Sequence, residues 1–247
     1  KLDIKNVNSF YLYDMNNELY FQGSGNKEWV NLDEISPFII NATIYSEDKN
    51  FYSHHGFDIL RIMKALFKNI TNNKIVEGAS TITQQYAKNL YLDFDKTFKR
   101  KIQEMWYTIQ IEEQYSKDEI LEGYLNTINY GDRCYGIKAA SKHYFSCDPE
   151  NLTLEQAATL AGIPQSPTYL SPTYNEEACQ NRRDTVLYRM YDDGKISKSD
   201  YNQTTANPIE LNLSYADSST NYKYPYFTRP PIINIVVGND ENDNVEI

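Results

Sequence analysis

Two adjacent carboxylates, Glu47 and Asp48, stand at the end of an apolar run that includes Phe38, Ile39, Ile40 and Ile44. A helix over that run would deliver both acids to its C-terminal end, where the helix dipole disfavours anions by roughly a few tenths of a kcal/mol. A local rule broken at one spot points to function rather than packing. A carboxylate held against apolar walls gains proton affinity, as a general base requires. Phe51, His54, His55 and Gly56 follow closely and add an aromatic ring and two imidazoles to the same segment.

A second segment begins at Gly78. Gly78 and Ser80 read as a loop and an N-cap at a helix start, which is a ready anion site. Thr81, Gln84, Gln85 and Lys88 then fall at i, i+3, i+4 and i+7, one polar face, while Ile82, Tyr86 and Leu90 make the buried one. A polar stripe ending in lysine, with Asn89 beside it, suits a diphosphate. A plain amphipathic helix facing water has the same period, but short Thr and Gln side chains line clefts more often than they solubilise surfaces.

Arg100, Lys101 and Glu104 form a third group. Arg100 and Glu104 are i, i+4 neighbours, worth about 0.3–0.5 kcal/mol as a surface ion pair. The functional alternative is a second carboxylate beside two cations in one cleft. In a fourth segment Leu121, Leu125 and Ile128 make a core stripe, and Glu122 and Asn126 read as its buttress.

These groups need elements to hold them. From about residue 35 to 201 the pattern predicts a mostly helical chain. Ser116 and Glu119 form a capping box for a helix over 118–128, and Thr153 and Gln156 do the same for one reaching Gly162. Pro164, Pro167 and Pro172 break the chain into a loop, and a last helix over 176–191 stops near Gly194. Residues 1–33 read as an extended segment, with alternation over 10–13 and turn signals at Asn16-Asn17. Residues 204–247 read as a linker or the stub of another domain, with a strand-like stretch over 232–237.

The chain has 247 residues, 34 acids against 24 Lys and Arg, and a formal charge of −10. That acidity argues against a general nucleic-acid binder. Three cysteines with no CxxC make zinc and disulfide frameworks a poor fit. No apolar run approaches the ~20 residues of a membrane-spanning helix, so an anchor helix is expected to be absent from this chain. The charge is uneven: residues 61–101 hold nine basic residues and three acids, a net of +6, leaving −16 elsewhere. Within that stretch Phe57, Ile59, Leu60, Ile62, Met63, Leu66, Phe67 and Ile70 recur at helical spacing, with Arg61, Lys64 and Lys68 opposite. Such a segment either lies in the headgroup layer of an anionic membrane or covers a core, and periodicity does not separate the two.

The motifs resemble glycosyltransferase family 51, the peptidoglycan glycosyltransferase domain of class A penicillin-binding proteins. Residues 47–56 fit E-D-x-x-F-x-x-H-x-G at every fixed position, 78–89 fit G-[GA]-S-T-I-T-Q-Q-x-x-K-N, and 100–104 fit R-K-x-x-E. Residues 118–131 fit D-x-I-L-E-x-Y-L-N-x-x-x-x-G, and the run from Arg182 and Arg183 to Met190 resembles the last family block. Five ordered motifs over about 150 residues are specific, and the resemblance covers about residues 10–203. Tyr224-Pro225-Tyr226-Phe227 resembles the passage into a transpeptidase domain. An S-x-x-K, Ser46–Lys49, overlaps the first motif and no K-T-G occurs, so no transpeptidase site is expected in this chain.

The resemblance implies a mainly α fold: a lysozyme-like helical lobe with a smaller, membrane-associated jaw where the basic amphipathic stretch falls. It implies a glycosyltransferase domain over 34–203 that polymerises lipid II into β-1,4 glycan strands with inversion, releasing undecaprenyl diphosphate. Glu47 would be the general base. Lys88, Arg100 and Lys101 would stabilise the diphosphate, and Glu104 would orient a cation or metal there. Asp48, Phe51, His54, Ser80, Thr81, Gln84, Gln85 and Asn89 would bind substrate or shape the cleft, His54 as a structural hydrogen bonder rather than an acid. Arg182 or Arg183 would reach the cleft. No metal site is expected and no cofactor is obligatory, although Mg2+ or another divalent cation fits Glu104 with a diphosphate. The implied partners are lipid II, the growing glycan strand, the bacterial membrane surface and moenomycin-type inhibitors, at the extracytoplasmic face of the cell membrane. Gly123 departs from the family, which usually has a larger apolar residue there; it costs the helix ~1 kcal/mol against Ala. The rival readings are a lysozyme-like hydrolase or lytic transglycosylase, which needs a protonated acid and no diphosphate site, and a non-catalytic glycan or membrane module.

Overall fold

The computed structural model describes residues 2, 10–13, 19–23, 29–72, 80–91, 98–214 and 234–236. Gly78, the Asn16-Asn17 turn and the 224–227 stretch lie outside these residues. The described part is mainly α. Ser36 starts the first helix, α1 (Pro37–Glu47), by accepting from the Phe38 N–H while its own hydroxyl donates to Leu152 O at 2.9 Å. Pro37 at the first helical position has no N–H to leave unsatisfied. α1 buries Ile39, Ala42, Thr43, Ile44 and Ser46 against α7 (Leu154–Gly162) and α8 (Glu176–Asp192).

That packing depends on small residues. α7 is held by the expected Thr153–Gln156 capping box and buries Ala157, Ala158, Ala161 and Gly162. A Cβ on Gly162 would lie 2.9 Å from Arg182 Cγ, so the missing side chain gives the Arg182 stem its path. Across the molecule α3 (Ile82–Tyr91) packs on α4 (Phe98–Gln114) and α5 (Lys117–Thr127). The Gly123 departure finds its reason here. A Cβ at that position would sit 2.0 Å from Tyr86 Oη, so the phenol occupies the volume a larger residue would fill. Gly123 does not weaken the core stripe; the fully buried Tyr86 completes it.

Glu122 and Asn126 do not buttress that stripe. Glu122 accepts from Trp29 Nε1 at 2.7 Å and the Leu32 N–H at 3.0 Å, and Asn126 pairs with the Val30 backbone in both directions. They dock the incoming chain onto α5.

α6 (Ile137–Phe145) and α9 (Lys198–Thr205) complete the helices among the described residues, α9 lying just beyond the helix expected to be last. The packed body runs past the expected boundary at 203. Arg183 Nη2 donates to Asn207 O at 2.9 Å, Ile209 is buried, and the Asn212 and Ser214 N–H groups bond to Tyr144 O and His143 O. The two ends of the chain also meet. β1 (Phe10–Tyr13) pairs antiparallel with β2 (Leu19–Gly23) on one side and β3 (Asn234–Val236) on the other, in the order β2-β1-β3. No described helix is long and apolar enough to cross a membrane.

α2 (Ile59–Asn72) carries the amphipathic stretch. Its apolar face does not cover a core: Ile59, Leu60, Met63 and Phe67 are between 62% and 73% exposed. α4 shows a second such face in Ile102, Met105, Trp106 and Ile109, at helical spacing and about half exposed.

Candidate active site

Glu47 is the last residue of α1 and Asp48 its C-cap, as the sequence predicts. The dipole conflict at this helix end is met by arginines. Arg189 Nη1 donates to Ser46 O at 2.6 Å, and Arg61 Nη1 donates to Glu47 O. Two guanidinium groups thus take carbonyls of the last turn, which face outward without helical partners. Asp58 fixes Arg61 at the start of α2 by accepting its backbone N–H at 2.9 Å. Burial works against the Asp58 anion, but bonds from Asn50 and Arg61 hold its carboxyl below the usual range.

The Glu47 carboxylate accepts from Gln85 Nε2 at 2.9 Å, Ser46 Oγ at 3.2 Å and Arg182 Nη2 at 3.4 Å. The apolar walls expected around it are therefore polar donors. Arg182 comes from α8 past Gly162 and also donates to Ser46 Oγ at 2.9 Å. Burial pulls its guanidinium below its ordinary value, Glu47 offsets part of that, and Arg189 adds to the lowering. The question of Arg182 or Arg183 is thereby answered. Arg183 is fully buried and pairs with Glu155 and Asp184.

Asp48 faces inward. Both its oxygens lie 3.0 Å from His54 Nε2, and Oδ2 accepts the Ile82 N–H at 3.1 Å. The helix N-terminus read as a ligand's anion site is thus occupied by the protein's own carboxylate. His54 Nε2 is thus turned towards Asp48. Phe51, expected among the substrate-binding residues, is fully buried, edge-on to His54 with centroids 6.4 Å apart and Lys117 Nζ 4.5 Å above its ring. Phe51 therefore lies beneath the surface of the site, against His54 and Lys117.

The cap of α3 is Thr81, not Ser80. Gln84 N–H donates to Thr81 Oγ1 at 3.2 Å, and Thr81 N–H donates to Gln84 Oε1 at 3.1 Å, a capping box of its own. Ser80 is exposed one residue earlier. The polar stripe is correspondingly divided. Thr81 and Gln84 are buried, and Gln84 Nε2 donates to Glu104 Oε1 at 3.2 Å, while Lys88 and Asn89 are exposed. Glu104 is itself buried and forms an ion pair with the half-exposed Lys101; Arg100, one residue back on α4, is half-buried. Consecutive glutamines of α3 thus touch both acids, Gln85 reaching Glu47 and Gln84 reaching Glu104. Lys88 stands one turn beyond Gln85.

A cleft of about 500 Å³ opens beside Glu47, lined among others by Lys49, Arg61, Lys64, Gln165, Arg182 and Arg189. Among the described residues no group of three His, Cys, Asp or Glu side chains could hold a metal ion. Lys101 already contacts the Glu104 carboxylate, so this donor set does not fit a resident divalent ion.

A model of the family described as Transglycosylase matches residues 16–191. The chain belongs to that family. It is the family the five motifs resemble, glycosyltransferase family 51, and the matched span contains all of them. Penicillin-binding protein 2D of Bacillus subtilis (strain 168) is 48% identical over 199 residues, which cover 81% of this chain and 29% of that protein. Penicillin-binding protein 1A/1B of the same organism is 42% identical over 250 residues, 98% of this chain and 27% of that protein. A crystal structure of penicillin-binding protein 1A from Haemophilus influenzae shares the fold, with TM-score 0.50 at 23% identity over 86% of this chain and 22% of that one. The chain thus spans under a third of the relatives it matches.

Three groups of this transglycosylase site escaped the sequence reading. Arg189 was within reach, since it lies seven residues after Arg182 and hence on the same side of α8. Arg61 was read only as part of the basic face of α2. Tyr124 stands in the fourth motif with no role assigned to it, and its hydroxyl has no signal in the sequence.

Proposed function

We propose that the chain is a peptidoglycan glycosyltransferase domain that polymerises lipid II, with Glu47 as general base. One observation carries this reading: Glu47 lines a cleft together with Lys49, Arg61, Lys64, Arg182 and Arg189, its carboxylate held by Gln85 and Arg182. The Glu47 carboxylate takes the proton from an acceptor sugar hydroxyl. The hydroxyl oxygen bonds to the donor's anomeric carbon as the bond from that carbon to diphosphate oxygen breaks. The electron pair leaves on undecaprenyl diphosphate, and the anomeric centre inverts to a β-1,4 link. Lys88, Arg100 and Lys101 supply positive charge where the departing anion develops it. Glu104 holds Lys101 and Gln84 in place, and no step of this scheme passes through a metal.

The cations around Glu47 favour this reading over the hydrolase, whose sugar leaving group needs a proton and not a counter-charge. The exposed apolar faces of α2 and α4 support a bilayer-facing jaw at the extracytoplasmic membrane surface, where the lipid-linked substrate resides.

Incubation of the purified chain with lipid II tests the activity. Polymer is expected from the parent, blocked by moenomycin, and turnover of Glu47→Gln is expected to fall by about 10²–10⁴-fold. Parental turnover of that variant would remove Glu47 as the base. Release of muropeptides from finished cell wall, with no polymer from lipid II, would establish the hydrolase. For the jaw, a Leu60→Glu, Met63→Glu, Phe67→Glu triple variant is expected to lose flotation with anionic liposomes; unchanged flotation would count against membrane contact.

A further inference from the structure

We infer that Tyr124 is a positioning residue for Glu47, acting through the side-chain amide of Gln85. The inference rests on the general-base reading above and deepens it. Tyr124 lies on α5 and is fully buried. Its hydroxyl donates to Gln85 Oε1 at 3.2 Å, and Gln85 Nε2 donates to Glu47 Oε2 at 2.9 Å. The chain of donors runs one way, from phenol to amide to carboxylate. An amide turned over would set its carbonyl oxygen against the carboxylate and leave the phenol proton without an acceptor. The phenol therefore locks the amide in the orientation that offers N–H to Glu47, and each bond polarises the next.

Burial keeps this donor in its protonated form. It raises the Tyr124 hydroxyl well above its ordinary value, and the Glu47, Tyr130 and Asp48 charges push the same way. Tyr86, against Gly123, packs the neighbouring space on α5. The core motif read as structural thus also reaches the reacting acid.

Other groups face Glu47 and set the background for its ionisation. They are Arg61 of α2, Arg182 and Arg189 of α8, the adjoining Asp48 and the buried phenol of Tyr130. Lys49, Lys64, Asp192 and Asp193 line the same cleft. Tyr124→Phe changes none of them, because it removes one oxygen and keeps the ring.

The experiment measures polymerisation of lipid II against pH for the parent, Tyr124→Phe, Gln85→Leu, the double variant and Glu47→Gln. It also follows the ¹⁵N side-chain amide resonances of Gln85, which report the ionisation of the carboxylate they touch. In Tyr124→Phe, kcat is expected to fall about ten-fold, the size of one hydrogen bond lost in the transition state, with KM within about two-fold. The acid limb of the profile and the amide titration should both move to higher pH, since the ionised acid loses a locked donor. In the Gln85→Leu background Tyr124→Phe should cost nothing further. A parental profile with a parental amide titration overturns the inference, and so do additive losses in the double variant. Parental turnover in Glu47→Gln would instead sink the general-base reading, while the amide titration still decides the role of Tyr124.

Discussion

Two sets of cations, one on α8 and one on α3 and α4, are built differently. On the α8 side Arg182, Arg183 and Arg189 are committed to protein partners: Ser46 and Glu47, Glu155 and Asp184, and the Ser46 carbonyl. On the α3–α4 side Lys88 is exposed and Lys101 keeps about half of its side chain in solvent. Guanidinium forks suit fixed, multiply bonded positions, and ammonium groups on flexible stems suit a ligand that arrives and leaves. Arg182 holds the acid in place; Lys88 is open to an incoming anion.

Breaking the committed set should cost stability first. Arg183→Ala leaves the carboxylates of Glu155 and Asp184 without their buried partner, and a loss of about 3–5 kcal/mol in urea unfolding is expected. A loss below ~1 kcal/mol would mean that α8 is not built around that charge. The open set should behave oppositely. Lys88→Ala is expected to lower kcat on lipid II by about 10²–10³-fold while leaving the melting temperature within roughly 2 °C. A melting point lowered by many degrees would make Lys88 structural and erase the contrast.

A smaller effect tests the route by which Arg182 reaches Glu47. Gly162→Ala puts a methyl 2.9 Å from Arg182 Cγ. About 1–2 kcal/mol of stability should go, with the loss of turnover exceeding that of Gly194→Ala, where a Cβ meets nothing within 4 Å and only the left-handed backbone (φ +68°) opposes a side chain. Equal turnover in the two variants would show that the Arg182 path does not matter.

The smallest effect concerns pH. Asp132 receives bonds from Thr173, Ser171 and His143, which outweigh burial and hold its carboxyl below the usual range. A lowered folded-state value means that its contribution is present above the ordinary carboxylate range. That contribution is lost as pH falls below about 4 through the folded value. Asp132→Asn should therefore be about 1 kcal/mol less stable at pH 7, and its gap to the parent in urea midpoint should close on acidification. A gap that stays constant from pH 7 to pH 3 would remove the linkage.

Much of the fold was legible because its signals are local. Ser116–Glu119 and Thr153–Gln156 are capping boxes three residues apart, and each opened a helix within one residue of its expected start. Glu47 and Asp48 were legible as a broken rule at a helix end. What failed did so where a side chain chose between two partners. Thr81 took the cap from Ser80 because Gln84 could answer it, and Asp48 took the α3 N-terminus because α1 ends facing it. The burial of Phe51 and the Tyr86 ring beside Gly123 were not legible, because neither exposure nor the empty volume beside a glycine is written in the local pattern.

The sequence by itself determined the helical elements, the family and the reactive residue types, since periodicity, caps and ordered motifs act over a few residues. Only the tertiary structure decided which arginine meets Glu47, which glutamine meets which acid, and which apolar faces stay uncovered. Those outcomes depend on distances between segments far apart in the chain, such as the 136 positions between Ser46 and Arg182. They are set by how closely small residues such as Gly162 let helices and long side chains approach.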